Sequence, residues 1–448
     1  MRTLVKQLSI TRKLVFPPPA TSDSLVELSD HFHVLSVIST GFERHAWRLR
    51  AFYHLALGGP VTGVCYCLIV PSASSRRDPI RVLYYYPATN FDSGSPRALA
   101  AFIEGLDQTA VHPLFLAVSD GPLLEALRGR GAEILRGTAG SISYRRPFAA
   151  LAAVRRQMAH LKAWKIDILH ANDIFWNTDL ILAAGLLRIP VVLHVHNPSV
   201  VHFQNMERFA ARKVLFCSRF EMGNCRHFGR IRHKAEAFHN AIDVAALGRG
   251  TPIRASLGVR EGTIAIGTVA QIGRRKGIDI LIETARILLR ERTDLVFLVA
   301  GPPVAGEEEF ANQLRAAAEA PGLRGRVQFL GSRSDIPDFL ASLDLFVLPT
   351  RAEPFGIVII EAMAAGIPVI ASKVGGIPEI LSSPEIGRLV EPVSPDAFAN
   401  AIREILASAG SGRSMGENGR RSVARFDARI AGERLHTLYL ELLRRGVD

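Results

Sequence analysis

From Ile80 onward the chain alternates short apolar runs with stretches of helical character, and then repeats the pattern. Arg81 to Tyr86, Pro113 to Val118, Ile166 to His170, Pro190 to His196 and Lys213 to Cys217 read as strands. Arg97 to Asp107, Pro122 to Gly131 and Asp179 to Leu187 read as helices between them. A second series has expected strands at Thr263 to Val269, Leu295 to Ala300, Val327 to Leu330, Leu345 to Pro349 and Pro368 to Ala371. Its helices include Gly277 to Arg290 and Ile336 to Ser342. Apolar strands alternating with helices imply parallel sheets buried on both faces. Two such doubly wound sheets in one chain place a ligand cleft at the carboxyl edges of their strands.

The 448 residues suit two or three domains. Gly248-Arg-Gly-Thr-Pro252 reads as the linker between the two series. The expected division is 1–79, an N-terminal extension of unknown role; 80–247, a first Rossmann-like domain; 248–429, a second Rossmann-like domain; and 430–448, a terminal helix. The first segment holds Pro17-Pro18-Pro19 and a Ser/Arg stretch from Pro71 to Pro79, and no function is assigned to it.

Lys and Arg number 54 against 42 Asp and Glu, a formal charge of +12. That balance suits a polyanionic partner: a nucleoside diphosphate, an anionic membrane or nucleic acid. No nucleic-acid motif and no long polybasic run appear, so nucleic acid is set aside. Cys65, Cys67, Cys217 and Cys225 lack metal-finger or C-x-x-C spacing and read as thiols of a reducing compartment. No run of 18 apolar residues is present and the N-terminus does not read as a signal peptide. The expected location is the cytoplasm, including the inner face of the cytoplasmic membrane.

The densest chemical signal is Glu353-Pro-Phe-Gly-Ile-Val-Ile-Ile-Glu361, followed by Ala-Met-Ala-Ala-Gly366-Ile-Pro368-Val. A turn with Pro354 and Gly356 opens an apolar helix that Gly366 and Pro368 close. The helix N-terminus carries free N–H groups and partial positive charge, which suit a diphosphate. Glu353 precedes that end and Glu361 lies two turns in, about 12 Å away at about 1.5 Å per residue. Two carboxylates flanking one glycosidic bond need roughly 5 to 9.5 Å. The spacing instead suits two hydroxyl-binding groups at opposite ends of a long ligand. The alternative is an amphipathic helix with two solvated glutamates.

This segment closely resembles the E-x7-E signature of the retaining glycosyltransferases of family 4, which use nucleotide-sugar donors and have a GT-B fold. The resemblance extends from about Arg81 to Arg445. It includes Leu348-Pro349-Thr350, Gly375-Gly376-Ile-Pro-Glu379, Lys276-Gly277, Asn240-Ala-Ile-Asp243, Asp167-Ile-Leu-His170 and the Gly94 loop. It implies two doubly wound Rossmann-like domains facing each other across a cleft, 80–247 on the acceptor side and 248–429 binding the nucleotide-sugar, with the C-terminal helix, 430–448, crossing back to the first.

The resemblance also implies roles. Lys276 matches the family's diphosphate lysine. Gln271 stands where the family often has an arginine, and Arg274 or Arg275 is the candidate replacement for its charge. Glu361 should hold the ribose hydroxyls and Glu353 the transferred sugar. Backbone N–H groups of Phe355, Gly356 and Ile357 should meet phosphate or sugar oxygens. Ser332 and Arg333 sit where the family's base pocket lies, and Gly94 matches a glycine that meets donor and acceptor. His170 ends an expected strand at the cleft edge and matches the first histidine of a His-x-His-like motif in which Asn172 replaces the second, so with Glu353 and Lys276 it is a catalytic candidate. Lys373 is a weaker phosphate candidate.

His194 and His196 have a spacing open to metal binding, but no third ligand presents itself, and packed imidazoles are the alternative reading. No Asp-x-Asp lies near a strand end, so neither metal nor cofactor is expected. The expected partners are a nucleotide-sugar donor, a glycan or lipid-linked acceptor and an anionic membrane surface. The implied reaction retains anomeric configuration, the leaving phosphate oxygen helping to remove the acceptor proton, in surface or exopolysaccharide synthesis. Two alternatives remain: a nucleotide-sugar epimerase on the same fold, and a non-catalytic binding protein.

Overall fold

A computed structural model of the chain describes residues 37–39, 49–55, 59–63, 78–91, 93–143, 145–173, 177–196, 210–225 and 228–444. The chain divides into two units, Met1–Arg77 and Asp78–Asp448. In the first, β1 (Val37–Ser39), β2 (Leu49–Leu55) and β3 (Gly59–Gly63) form an antiparallel sheet in that order. The proline run at Pro17 and the residues Cys65 and Cys67 lie outside the described residues.

The second unit holds two parallel sheets. The first contains β4 (Ile80–Tyr85), β5 (Val111–Ala117), β6 (Glu133–Arg136), β7 (Ile168–Asn172), β8 (Val191–Val195), β9 (Ala211–Phe216) and β10 (Ala235–Ala237). Its order is β10-β9-β8-β7-β4-β5-β6. The second contains β11 (Ile264–Val269), β12 (Leu295–Ala300), β13 (Val327–Gly331), β14 (Leu345–Leu348), β15 (Val369–Ser372) and β16 (Arg388–Val390), ordered β13-β12-β11-β14-β15-β16. The interior strands are buried along nearly their whole length. This is why they read as unbroken apolar runs rather than alternating ones.

In each sheet the strand order reverses once, between β4 and β7 and between β11 and β14. Connections leave in opposite directions at such a point, so a crevice opens at the carboxyl ends of the two strands. The chain leaving β4 leads to a helix at Gly94–Glu104. The chain leaving β11 leads through a short 3-10 turn, Arg274–Lys276, to a helix at Ile278–Leu288. The chain leaving β14 leads to the helix Ile357–Ala364.

The last helix, Ala428–Arg444, packs on the helix Gly94–Glu104. It buries Ala431, Leu435, Tyr439 and Leu442, a stripe at helical spacing. The Tyr439 hydroxyl lies 2.7 Å from both the Tyr84 hydroxyl and His170 Nδ1, which ties this helix to β4 and β7.

Candidate functional site

The reversal in the second sheet gathers the basic turn and the acidic loop. Lys276 Nζ donates to Glu353 Oε2 at 2.6 Å, and both side chains are largely enclosed. Arg275 donates to the Ala352 carbonyl at 2.9 Å and stands 3.8 Å from the same carboxylate. Arg274 turns the other way. Its guanidinium lies over the Phe310 ring at 4.5 Å, so of the two arginines only Arg275 joins the Lys276–Glu353 cluster.

The Glu353 loop is clamped from two sides. The Gly376 N–H donates to the Glu353 carbonyl at 3.1 Å. A Cβ on Gly375 would lie 1.8 Å from that carbonyl oxygen, so only glycine permits this approach. Across the cleft the Ser218 hydroxyl donates to the Pro354 carbonyl at 2.7 Å while capping the helix Arg219–Asn224. Glu379 spans the same gap, accepting N–H groups of Arg219 and Phe220 and pairing with His239 at 2.8 Å.

Gly356 is the residue before the helix Ile357–Ala364, at φ +108°. That backbone angle, rarely adopted by a residue with a side chain, is itself a sufficient reason for glycine there. Glycine offers no side chain to cap the first N–H groups, which leaves that end available to an anion. Phe355 and Ile357 are buried, with Phe355 stacked on His239 at 5.4 Å. Any contact of theirs with a ligand would be through the backbone. Gly94, expected in a loop, is the first residue of a helix, because Pro96 is tolerated in a first helical turn. A Cβ there would meet Ile357 Cδ1 at 3.4 Å, so the two helix starts face each other across the cleft.

Glu361 is buried within its helix. Its Oε1 accepts from Arg97, on the helix that starts at Gly94, and its Oε2 has no hydrogen-bond partner. Burial pushes this carboxyl up and the Arg97 charge partly offsets the push. Arg97 was not singled out from the sequence: it stands 264 residues from Glu361. Glu221 was missed for the same reason. Burial and the charge of Glu353 push it up to about 7, so this carboxyl changes state near neutral pH.

Arg333 pairs with Asp335 through two bonds of 2.9 and 2.5 Å, and Ser332 is exposed beside it after β13. Lys373 faces Glu391 at 3.7 Å on the surface.

His170, expected at the cleft edge, is instead fully enclosed in the core beneath Tyr439. It stacks on His194 at 5.5 Å, and His194 stacks on His196 at 4.5 Å. His196 Nε2 lies 3.1 Å from Asn172 Oδ1, next to Asp173. Among the described residues no group of three or more His, Cys, Asp or Glu side chains is arranged to hold a metal ion.

Burial, helped by the nearby His196, holds His170 down at about 3 against an ordinary 6.5. Burial lowers His194 and His196 as well. Below about pH 6.5 the unfolded chain takes up protons that these folded histidines refuse, so stability rises with pH in that window. Each such group contributes up to about 1.4 kcal/mol per pH unit. Urea midpoints should therefore fall between about pH 7.5 and about pH 5.5, the three histidines outweighing the opposite slope that the raised Glu221 carboxyl gives in the same window. A flat profile there would contradict the buried neutral row.

Two parallel sheets whose reversal points share one cleft, with a helix crossing back, define the GT-B class of α/β proteins. Residues 251–422 match the family model for glycosyl transferases group 1, and residues 93–246 match that for glycosyltransferase family 4. The chain belongs to this glycosyltransferase family.

Over 153 residues it is 31% identical to the lipopolysaccharide core biosynthesis mannosyltransferase LpsB of Rhizobium meliloti, covering 34% of this chain and 44% of that one. Over 195 residues it is 30% identical to the D-inositol 3-phosphate glycosyltransferase of Corynebacterium urealyticum, covering 42% and 46%. The chain thus spans about half the length of these relatives. The crystal structure of HepE from Anabaena in complex with UDP and glucose shares the fold, with a TM-score of 0.68 at 23% identity, over 80% of this chain and 99% of that one.

Proposed function

We propose that this enzyme moves a sugar from a nucleoside-diphosphate sugar to a glycan or lipid-linked acceptor, with retention and without a divalent metal, in the building of a cell-surface polysaccharide or glycolipid. The observation that carries the reading is the Lys276–Glu353 pair, held beside the uncapped start of the helix whose second turn bears Glu361. Negative charge grows on the diphosphate as the sugar leaves, and preformed cations and N–H groups are the means of stabilising it. Lys276, Arg275 and the N–H groups of Phe355, Gly356 and Ile357 take that task. Glu353 takes the sugar hydroxyls and Glu361 the ribose. The leaving phosphate oxygen then helps to remove the acceptor proton. The UDP and glucose held by HepE, and the lipopolysaccharide role in the name of LpsB, support the donor class and the setting.

Purified enzyme with UDP- and GDP-sugars and candidate acceptors should transfer sugar at an unchanged rate in EDTA. Activity abolished by EDTA and restored by magnesium or manganese would overturn the metal-independent part. Interconversion of donor sugars without transfer would replace the reading with an epimerase.

A further inference from the structure

The helix Pro147–Ala163 presents an unusual outer face. Residues 145–165 carry six basic side chains and no acidic one. On the inner side Val154, Gln157 and Leu161 are buried, and Gln157 Nε2 donates to Asp179 Oδ2 at 2.9 Å, which fixes how the helix is rotated. On the outer side Phe148 is 86% exposed and Leu151 is 50% exposed. Arg145 and Arg146 precede this apolar tip and Arg155 and Arg156 follow it, all exposed.

The position of the tip follows from topology. The helix connects β6 to its parallel partner set at β7, so it runs back against the strand direction and begins at their carboxyl edge. The loop before it is pinned at that edge: the Gly140 N–H donates to Asp179 Oδ1 at 2.8 Å and the Ile142 N–H to the Thr178 hydroxyl at 2.9 Å. That is the edge on which Gly94 opens its helix, the mouth of the cleft.

We infer that this face seats the enzyme on an anionic lipid bilayer, Phe148 and Leu151 entering the headgroup–acyl boundary and the four arginines engaging lipid phosphates. An aromatic tip between cationic side chains suits an interface that is apolar at depth and anionic at its surface, since arginine stems lie along the apolar layer while their heads stay at the phosphates. A second copy is a poor occupant. It would set one acid-free basic helix against another, and two large apolar side chains are few beside the roughly 800 Å² per partner of a stable interface. The docked orientation puts the cleft mouth at the membrane, where a lipid-linked acceptor resides; this consequence rests on the acceptor class proposed above, while the docking itself does not.

Flotation of the full-length protein with phosphatidylcholine vesicles, with and without phosphatidylglycerol, tests the inference. Binding to the anionic vesicles should exceed binding to the neutral ones by at least about tenfold and fall at high salt. Phe148→Asp, and separately Arg155→Glu with Arg156→Glu, should each lower it at least about tenfold while nucleoside diphosphate affinity stays unchanged. These side chains are exposed, so the variants should fold. Equal binding to both vesicle types, no binding, or variants that float like the parent would overturn the inference. A concentration-dependent dimer dispersed by Phe148→Asp would overturn it in favour of self-association. Loss of sugar transfer with vesicle binding intact would strike the proposed reaction and leave the docking face standing.

Discussion

Lys276→Ala is expected to lower kcat about a hundred- to a thousandfold while the enzyme remains folded. The lysine reaches the site from the turn after β11 and is held there by Glu353 at 2.6 Å. A cation fixed before the donor arrives needs no reorganisation when charge develops on the leaving diphosphate. One such contact typically contributes about 3 to 4 kcal/mol to lowering a barrier. The cost to folding should be small, because Glu353 keeps Arg275 at 3.8 Å as a second cation. Arg275→Ala removes the more exposed of the two and should slow turnover less. Arg274→Ala, whose guanidinium rests on Phe310, should change turnover least. Near-normal kcat in folded Lys276→Ala enzyme would remove this lysine from the chemistry.

The same turn shows why part of the site was legible in the sequence. Lys276, Glu353, Gly356 and Glu361 lie in short segments at strand ends, where local spacing carries the information. The central strands were legible because burial on both faces leaves an apolar run. Three edge strands escaped for the opposite reason: β6, β10 and β16 have three or four residues each and are partly exposed. The helix Pro147–Ala163 escaped because its alanines and arginines give a weak apolar stripe. Arg97 and Glu221 escaped because only the closing of the two sheets brings them to Glu361 and Glu353. His170 looked like a cleft residue because a strand end and a motif position coincide there. Its surroundings, Tyr84, Tyr439 and His194, come from three separate elements and enclose it.

The second large effect concerns the cross-cleft pair of Arg97 and Glu361. Arg97→Ala should destabilise the enzyme by about 3 to 5 kcal/mol near pH 8, because it leaves a buried carboxylate without its cation. Glu361→Gln should cost less, since Arg97 is 26% exposed in its side chain and regains water. The double variant should recover much of the loss. The sign with pH follows from burial, which already pushes Glu361 up against the pull of Arg97. Without Arg97 the folded-state value rises further above the unfolded one. The protonated form then fits the core, so stability is kept at low pH and lost as pH rises through the folded value. The deficit of Arg97→Ala should therefore shrink toward about pH 5. An equal deficit at both ends would sink the buried-charge account. In the proposed reaction the unpartnered Oε2 of Glu361 accepts from a ribose hydroxyl. Glu361→Gln should therefore lose nucleoside diphosphate affinity, whereas Glu353→Gln should keep that affinity and lose sugar transfer. Thermal shifts can read both, because a hundredfold ligand excess over Kd raises stability by about 2.7 kcal/mol. Equal losses of both variants on the free nucleotide would end the division of ribose and sugar roles between the two glutamates.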